Sequence, residues 1–313
     1  MGSDNCLSLL EPVGRVYCGA AVNRVRPAPR AATCCTMQSY RDVPTPSLAG
    51  AVPLTQFVEC KKNVPSGTIV INRPDKRNAL SRYCMLQIKQ ALEDFHQERS
   101  VRAVILIGAG DAFCAGMDLQ EMQETSKEQD PQAQWHEDAQ QYKQLVEIML
   151  RFPKPLIAAV NGPAIAGGAG LVLACDLVIA AKSATLGLPE PQRGLVAGLV
   201  APLLNFRLGA SRAANMLLQA RHFSAEEALQ MGAFHELVED DLVWARAHEL
   251  AQQATQSAPE SLQLTKQMLN ETIGENLFMQ LNIGAAASAA ARTTDAAREG
   301  LQAFLEKRQP DWK

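Results

Sequence analysis

At 313 residues the chain is long enough to bury a substantial core, as one large domain or as two. Hydrophobic residues make up 47% and charged residues 20%, and the formal charge of −3 leaves no basic excess that would hold nucleic acid. No apolar run reaches the length needed to span a bilayer, so no membrane partner is expected.

The first fifty residues differ from the rest. Between Pro12 and Arg41 there is no acid, while Arg15, Arg24, Arg26, Arg30 and Arg41 all fall there. Cys6, Cys18, Cys34 and Cys35 also lie in this segment. Leu7–Leu10 is too short for the apolar core of a secretory signal, and Glu11 interrupts it. The composition fits a start codon placed too early, with Met37 as first residue and a cytoplasmic protein. A mitochondrial transit peptide, and so the matrix, is the alternative. Either way residues 1–50 are expected to be disordered, and residues 1–45 dispensable for folding and activity. Cys60, Cys84, Cys114 and Cys175 stand singly in apolar surroundings and read as reduced core residues, with no metal-ligand spacing.

From residue 56 the elements follow in order. Phe57–Lys61 and Thr68–Asn72 read as strands around a turn at Pro65–Gly67. Met85, Ile88, Leu92 and Phe95 then line one face of a helix, and Arg102–Ile107 is a buried strand ending at Gly108. The loop Phe113–Leu119 has small residues at Ala115 and Gly116, where a backbone can approach closely. Gln120–Gln144 is rich in Glu and Gln and reads as a mobile helical cover; Leu145, Val146, Met149 and Leu150 then mark a buried helix face.

The stretch from Lys154 to Gly194 organises the rest. The apolar run Leu156–Val160 meets the turn Asn161-Gly162-Pro163, and a helix opens near Gly167 with unpaired N–H groups in its first turn. Asp176–Ala181 is a further strand, and Glu190 then stands between Pro189 and Pro191. Ser224 and Glu227 form a capping box, and Gly232 ends the helix that it opens. Helices follow over Leu242–Thr255, Pro259–Glu271, Asn276–Ala291 and Thr294–Lys307, the third with an alanine-rich run from Gly284 that lets a neighbour come close. His222, His235 and His248 are isolated and read as structural or solvent-facing.

Three segments in register carry a resemblance: Asn72-Arg73-Pro74 with Asn78-Ala79-Leu80, Ala112–Leu119, and the stretch just described. From Gln56 to Lys313 the chain resembles the enoyl-CoA hydratase/isomerase (crotonase) family. The resemblance implies an α/β fold, a spiral of ββα repeats over residues 51–240, and a helical region over 241–313 that forms trimers or hexamers. It implies an oxyanion hole from the N–H groups of Met117 and Gly167. It also implies coenzyme A contacts at Ala115, Met117, Asp118, Leu119 and Gln120. Lys76 and Arg77 suit its phosphates, since ammonium and guanidinium groups bind them well. The partner is an acyl-CoA thioester, with coenzyme A a part of the substrate and no separate cofactor.

Glu190 stands where the family places a catalytic glutamate. Pro191 biases it toward an extended backbone, and Leu186, Leu188 and Leu195 would raise its pKa. The sequence departs from the two-glutamate hydratases at Gly170, where their other glutamate would fall. One carboxylate suits a 1,3-proton shift. Hydration would need Glu190 to act twice, or help from Glu121, Glu124, Glu137 or Glu147. The pattern from Gly168 to Leu171 with Leu195–Leu203 also resembles a bacterial branch associated with 3-methylglutaconyl-CoA hydration. Enoyl-CoA hydratase is therefore the first expectation and enoyl-CoA isomerase the second. A non-catalytic acyl-CoA binder is the third. A glutamate introduced at 170 is expected to add hydration if the pocket admits it.

Overall fold

The computed structural model describes residues 56–312. The expectations about the start site, targeting and disorder of residues 1–50 fall outside that range.

β1 (Val58–Asn63) and β2 (Ser66–Ile71) pair antiparallel, and their reversal takes Val64 and Pro65 alone, tighter than the expected turn. Then come β3 (Ala103–Gly108), β4 (Leu156–Val160), β5 (Ala164–Ile165), β6 (Leu177–Ala181), β7 (Thr185–Gly187), β8 (His222–Ser224) and β9 (Glu236–Val238). The long sheet runs β1-β2-β3-β4-β6-β9 and is parallel from β2 onward; β5, β7 and β8 form a short second sheet. Continuously apolar β3 and β4 are central strands of the long sheet and almost wholly buried. Cys60 corrects an expectation: β1 is an edge strand, and this cysteine is exposed.

Later turns of the spiral take a strand from the long sheet, one from the short sheet, and then a helix, whereas β1 and β2 of the opening turn both belong to the long sheet. β4, β5 and α4 (Gly167–Ala174) make one such turn. α1 (Arg82–Gln97) is capped by Ser81 and buries the apolar face read from the sequence. α2 (Leu119–Thr125) and α3 (Pro131–Arg151) form the cover. Residues 120–144 are not a loosely attached lid: Trp135, Asp138, Ala139 and Tyr142 continue the buried stripe of Leu145, Val146 and Met149.

α5 (Val200–Leu208), α6 (Ala210–Gln219) and α7 (Ala225–Met231) follow, the last with the expected capping box. The boundary expected at residue 241 does not divide the chain: α8 (Val243–Ala254) packs on β3, β4 and β6 and buries Val243, Ala247 and Ala251. α9 (Pro259–Gln267) is clipped to the core by Lys266, whose ammonium lies 2.7 Å from Asp176. α10 (Glu275–Ala291) lies along α3 and α5, its Gly284 against the backbone of Gly198. α11 (Asp295–Leu305) packs on the turn that carries Glu190. No helix among the described residues is long and apolar enough to cross a membrane.

Candidate active site

The loop between β2 and α1 is held from inside. Asn78 takes a left-handed backbone, which asparagine tolerates, and its side chain donates to the carbonyls of Ala109 and Ala112. Its Oδ1 accepts from the Arg73 N–H at 2.9 Å. Arg73 lies over the Phe57 ring and reaches Asp118 at 2.9 Å, while Asp118 caps α2. Asp118, expected at coenzyme A, therefore uses its carboxylate to fix the loop next to Met117.

The Leu80 N–H donates to the Gly116 carbonyl, and the Asp118 N–H donates to the Leu80 carbonyl. In such a parallel bridge the intervening Met117 N–H faces away from Leu80. Gly116 has φ +86°, and a side chain there would run into Ile165 and Ala166. Only hydrogen lets this loop meet the start of α4.

α4 begins after Ala166, whose φ of 51° and ψ of −120° are strained for a residue with a Cβ. The Ala166 N–H donates to Gly187, tying this corner to β7. Gly167 opens the helix, so its N–H has no partner within it. Met117 and Gly167 both line one chamber of about 70 Å³. Their amides have no backbone acceptor among the described residues. A carbonyl oxygen entering here meets two unspent donors.

Glu190 lines the same chamber and is 8% exposed. It opens a 3-10 turn over Glu190–Arg193 rather than an extended stretch. Pro191 is compatible with this because a proline near a helix start gives up an N–H that has no partner there. The Leu195 N–H closes the turn on the Glu190 carbonyl at 2.9 Å. Leu186 and Leu188 are fully buried beside it, and Glu190 Oε2 has no hydrogen-bond partner. Burial raises its carboxyl to about 7, against a smaller downward pull from its own amide and from Arg193.

Gly170 sits one helical turn on, and the space above it is taken. A Cβ at 170 would collide with the Tyr142 hydroxyl, which donates to the Gly167 carbonyl at 2.5 Å. A glutamate there has no room, so the expected gain of hydration by that substitution is withdrawn. Tyr142 lies wholly in the interior, with its phenol held well above the usual pKa by burial. None of Glu121, Glu124, Glu137 and Glu147 lines the chamber. Glu121 instead accepts from the Arg82 N–H, and Glu147 pairs with Lys143.

Outside the chamber lies a cleft of about 1130 Å³. Lys76, Arg77, Ala115, Met117, Leu119 and Gln120 line it, as does the rim of Asp118. Lys76 donates to Gln120 at 2.7 Å in an exposed contact. Ala115 and Met117 border both spaces. Among the histidines, His235 accepts from Val178, His248 meets Ser66 at 2.8 Å, and His222 borders the cleft. No metal-binding group of three His, Cys, Asp or Glu side chains occurs among the described residues.

The family model for enoyl-CoA hydratase/isomerase matches residues 62–313. The chain belongs to the enoyl-CoA hydratase/isomerase family. A protein named putative enoyl-CoA hydratase from Thermus thermophilus is 38% identical over 77% of this chain and 95% of that protein. The 1,2-epoxyphenylacetyl-CoA isomerase of Escherichia coli is 32% identical over 78% of this chain and 94% of its own. A solved enoyl-CoA hydratase/isomerase from Xanthobacter autotrophicus superposes with a TM-score of 0.73 at 28% identity, covering 81% of this chain and 97% of that one.

Within this enoyl-CoA hydratase/isomerase fold, Met117, Gly167 and Glu190, expected from the resemblance, line one chamber, and the sequence did not point to three of their neighbours. Tyr142 belonged to a segment judged by its polar composition, although 135, 138, 139, 142, 145, 146 and 149 keep a helical period. Arg292 ends an alanine-rich helix with nothing local to mark it. Ala166 occupies a backbone state that its residue type does not announce.

Proposed function

We propose that the chain binds acyl-CoA thioesters and shifts a double bond from C3 to C2 through a thioester enolate. The observation that carries this reading is that, among the described residues, Glu190 is the one carboxylate lining the chamber, in an apolar setting that brings it to about 7. As a carboxylate it removes a proton from C2. The C–H electron pair moves into the C1–C2 bond, and the carbonyl pair moves onto the thioester oxygen, between the amides of Met117 and Gly167. The returning electrons form the C2–C3 double bond while the C3–C4 bond takes the proton from Glu190 at C4. One base removes and returns the proton, so no second acid is needed. Lys76 and Arg77 meet the coenzyme's phosphates in the outer cleft. No resident cofactor enters the step.

Hydration, the first expectation from sequence, becomes the second reading, because Tyr142 fills the place of the second glutamate. It retains one supporting observation: the Tyr142 hydroxyl and the unpartnered Glu190 Oε2 border one space, where a water would find both. A pure binder is disfavoured, since an unpartnered buried carboxyl is a cost without chemistry. Exposed Leu264, Met268, Ile273, Met279 and Ile283 on the C-terminal helices support association into the trimer or hexamer.

A panel of matched 3-enoyl- and 2-enoyl-CoAs tests the reading. Double-bond migration is expected to exceed water addition, and Glu190→Gln is expected to lower it ~10²–10⁴-fold. Water addition to 2-enoyl-CoAs outrunning migration would move the assignment to hydratase. Full activity in Glu190→Gln would remove the proton-carrier role.

A further inference from the structure

Tyr142 carries a buried hydroxyl that the reaction above does not use. It belongs to the buried stripe of α3, is 4% exposed, and lines the chamber with Glu190. A Cβ at Gly167 would stand 3.5 Å from its ring, and one at Gly170 only 2.1 Å from its hydroxyl. The side chain thus covers the first turn of α4. Its hydroxyl donates to the Gly167 carbonyl at 2.5 Å. Burial first, then the neighbouring Cys114 and Glu190, hold the phenol well above its usual pKa, so it stays protonated and remains a donor.

That turn has little else to hold it. Gly167, Gly168 and Gly170 bring no side chain to pack, and no side chain caps the helix. Ala166 before them has φ 51° and ψ −120°, a strained state that persists only where the surroundings impose it. The backbone supplies part of the restraint: the Ala166 N–H donates to Gly187, and the Gly170 N–H donates to the Ala166 carbonyl. Beyond the backbone, the Tyr142 bond is the one side-chain hydrogen bond made to residues 164–170 among the described residues. Two dihedrals at Gly167 separate its amide from its carbonyl, and glycine leaves both soft. A bond that pins the carbonyl therefore narrows the directions open to the amide.

We propose that Tyr142 is a positioning residue: through the Gly167 carbonyl, its hydroxyl aims the Gly167 amide at the thioester oxygen as negative charge develops there. At Gly170 only hydrogen leaves that hydroxyl in place. A group that aims a donor thus stands where a second carboxylate would have stood. This role rests on the acyl-CoA reading above but not on which reaction follows, since either one places charge on the same oxygen.

Tyr142→Phe in the full chain tests it, because the ring and its packing stay and only the hydroxyl goes. On an enoyl-CoA that the wild type turns over, kcat is expected to fall ~10- to 100-fold with KM nearly unchanged. That is short of the ~10²–10³-fold loss for a donor removed outright. The carbonyl stretch of bound butanoyl-CoA, picked out in infrared difference spectra by a heavy-carbon label, reports the aim of the amide. Binding to the wild type is expected to lower that frequency, and binding to Tyr142→Phe to lower it less. Gly170→Ala, whose methyl pushes the same hydroxyl aside, is expected to move both readouts in the same direction, and it decides if Tyr142→Phe does not fold. An unchanged kcat with an unchanged carbonyl band would make Tyr142 a packing residue and overturn the proposal. A lower kcat with the band unchanged would also overturn it, by making the hydroxyl a proton carrier. A wild type that binds butanoyl-CoA without turning over any enoyl-CoA would sink the reaction assigned above and leave the band to decide this role. Failure to bind butanoyl-CoA at all would sink both.

Discussion

Lys76 and Arg77 in the outer cleft stand in water, whereas Glu190 and Arg292 in the inner chamber each carry a buried polar atom with no partner. Water screens the outer charges, and each contributes little by itself. The inner charges have lost their hydration and recover only part of it, Glu190 from its own amide and Arg193 and Arg292 from Asp138 at 3.8 Å. One groove thus attracts loosely at its mouth and discriminates at its end.

Four experiments press on this contrast. The largest effect is expected at the chamber's donors. Gly167→Pro removes one amide at a helix position that accepts proline, and turnover is expected to fall ~10²–10³-fold. Circular dichroism checks the fold, and unchanged turnover in a folded variant would refute the paired-amide arrangement.

Glu190 comes next, this time through stability. Its folded carboxyl is raised to about 7 from a normal 4.5, so the folded state binds the extra proton between those values. Stability is therefore expected to be highest below pH 4.5 on this account and to fall as pH rises through 7. The whole shift corresponds to roughly 3 kcal/mol. Glu190→Gln, which cannot ionise, is expected to be more stable than wild type in urea at pH 8.5 and to lose that advantage near pH 4.5. Activity should run the other way, rising through pH 7 as the carboxylate forms. Parallel denaturation curves at both pH values would contradict the buried-acid account.

Gly170→Ala tests the packing that displaced a second carboxylate. Its methyl group meets the Tyr142 hydroxyl, and a loss of about 1–3 kcal/mol is expected. Tyr142→Phe removes that hydroxyl, so the double variant should recover most of the loss, a coupling read from a double-mutant cycle. Additive effects would place the clash elsewhere.

The smallest effect belongs to the outer cleft. Lys76→Gln with Arg77→Gln is expected to weaken coenzyme A binding only about two- to five-fold, and less in high salt, as befits exposed charges. A loss of a hundredfold would mean that these side chains are as specifically engaged as the inner ones.

Glu190, Met117 and Gly167 could be named from the sequence because the resemblance picks them out, while local pattern showed only a proline-flanked acid, a glycine-bearing loop and a helix start. The strands β3 and β4 and the capping box of α7 were legible for the same reason, since burial period and cap chemistry are local. Tyr142, Arg292 and the Glu190 turn were not. Whether residue 170 lacks a side chain for want of chemistry or for want of space depends on Tyr142 in α3, more than twenty residues away in the chain. Whether Arg292 is paired depends on Arg82 having already taken Asp138 from another helix.

The sequence by itself therefore determined the central strands β3, β4 and β6, the helix that opens at Gly167 and most of the C-terminal helices, while the pairing of the Met117 and Gly167 amides beside Glu190 came from the resemblance. The strands and helices follow from backbone geometry and apolar period over a few residues. Only the tertiary structure decided that Glu190 shares its chamber with no other carboxylate among the described residues, and that Arg292 lines it with an unpartnered nitrogen. Orphaned groups are defined by what every neighbour has already bonded, and those neighbours come from distant segments of the chain.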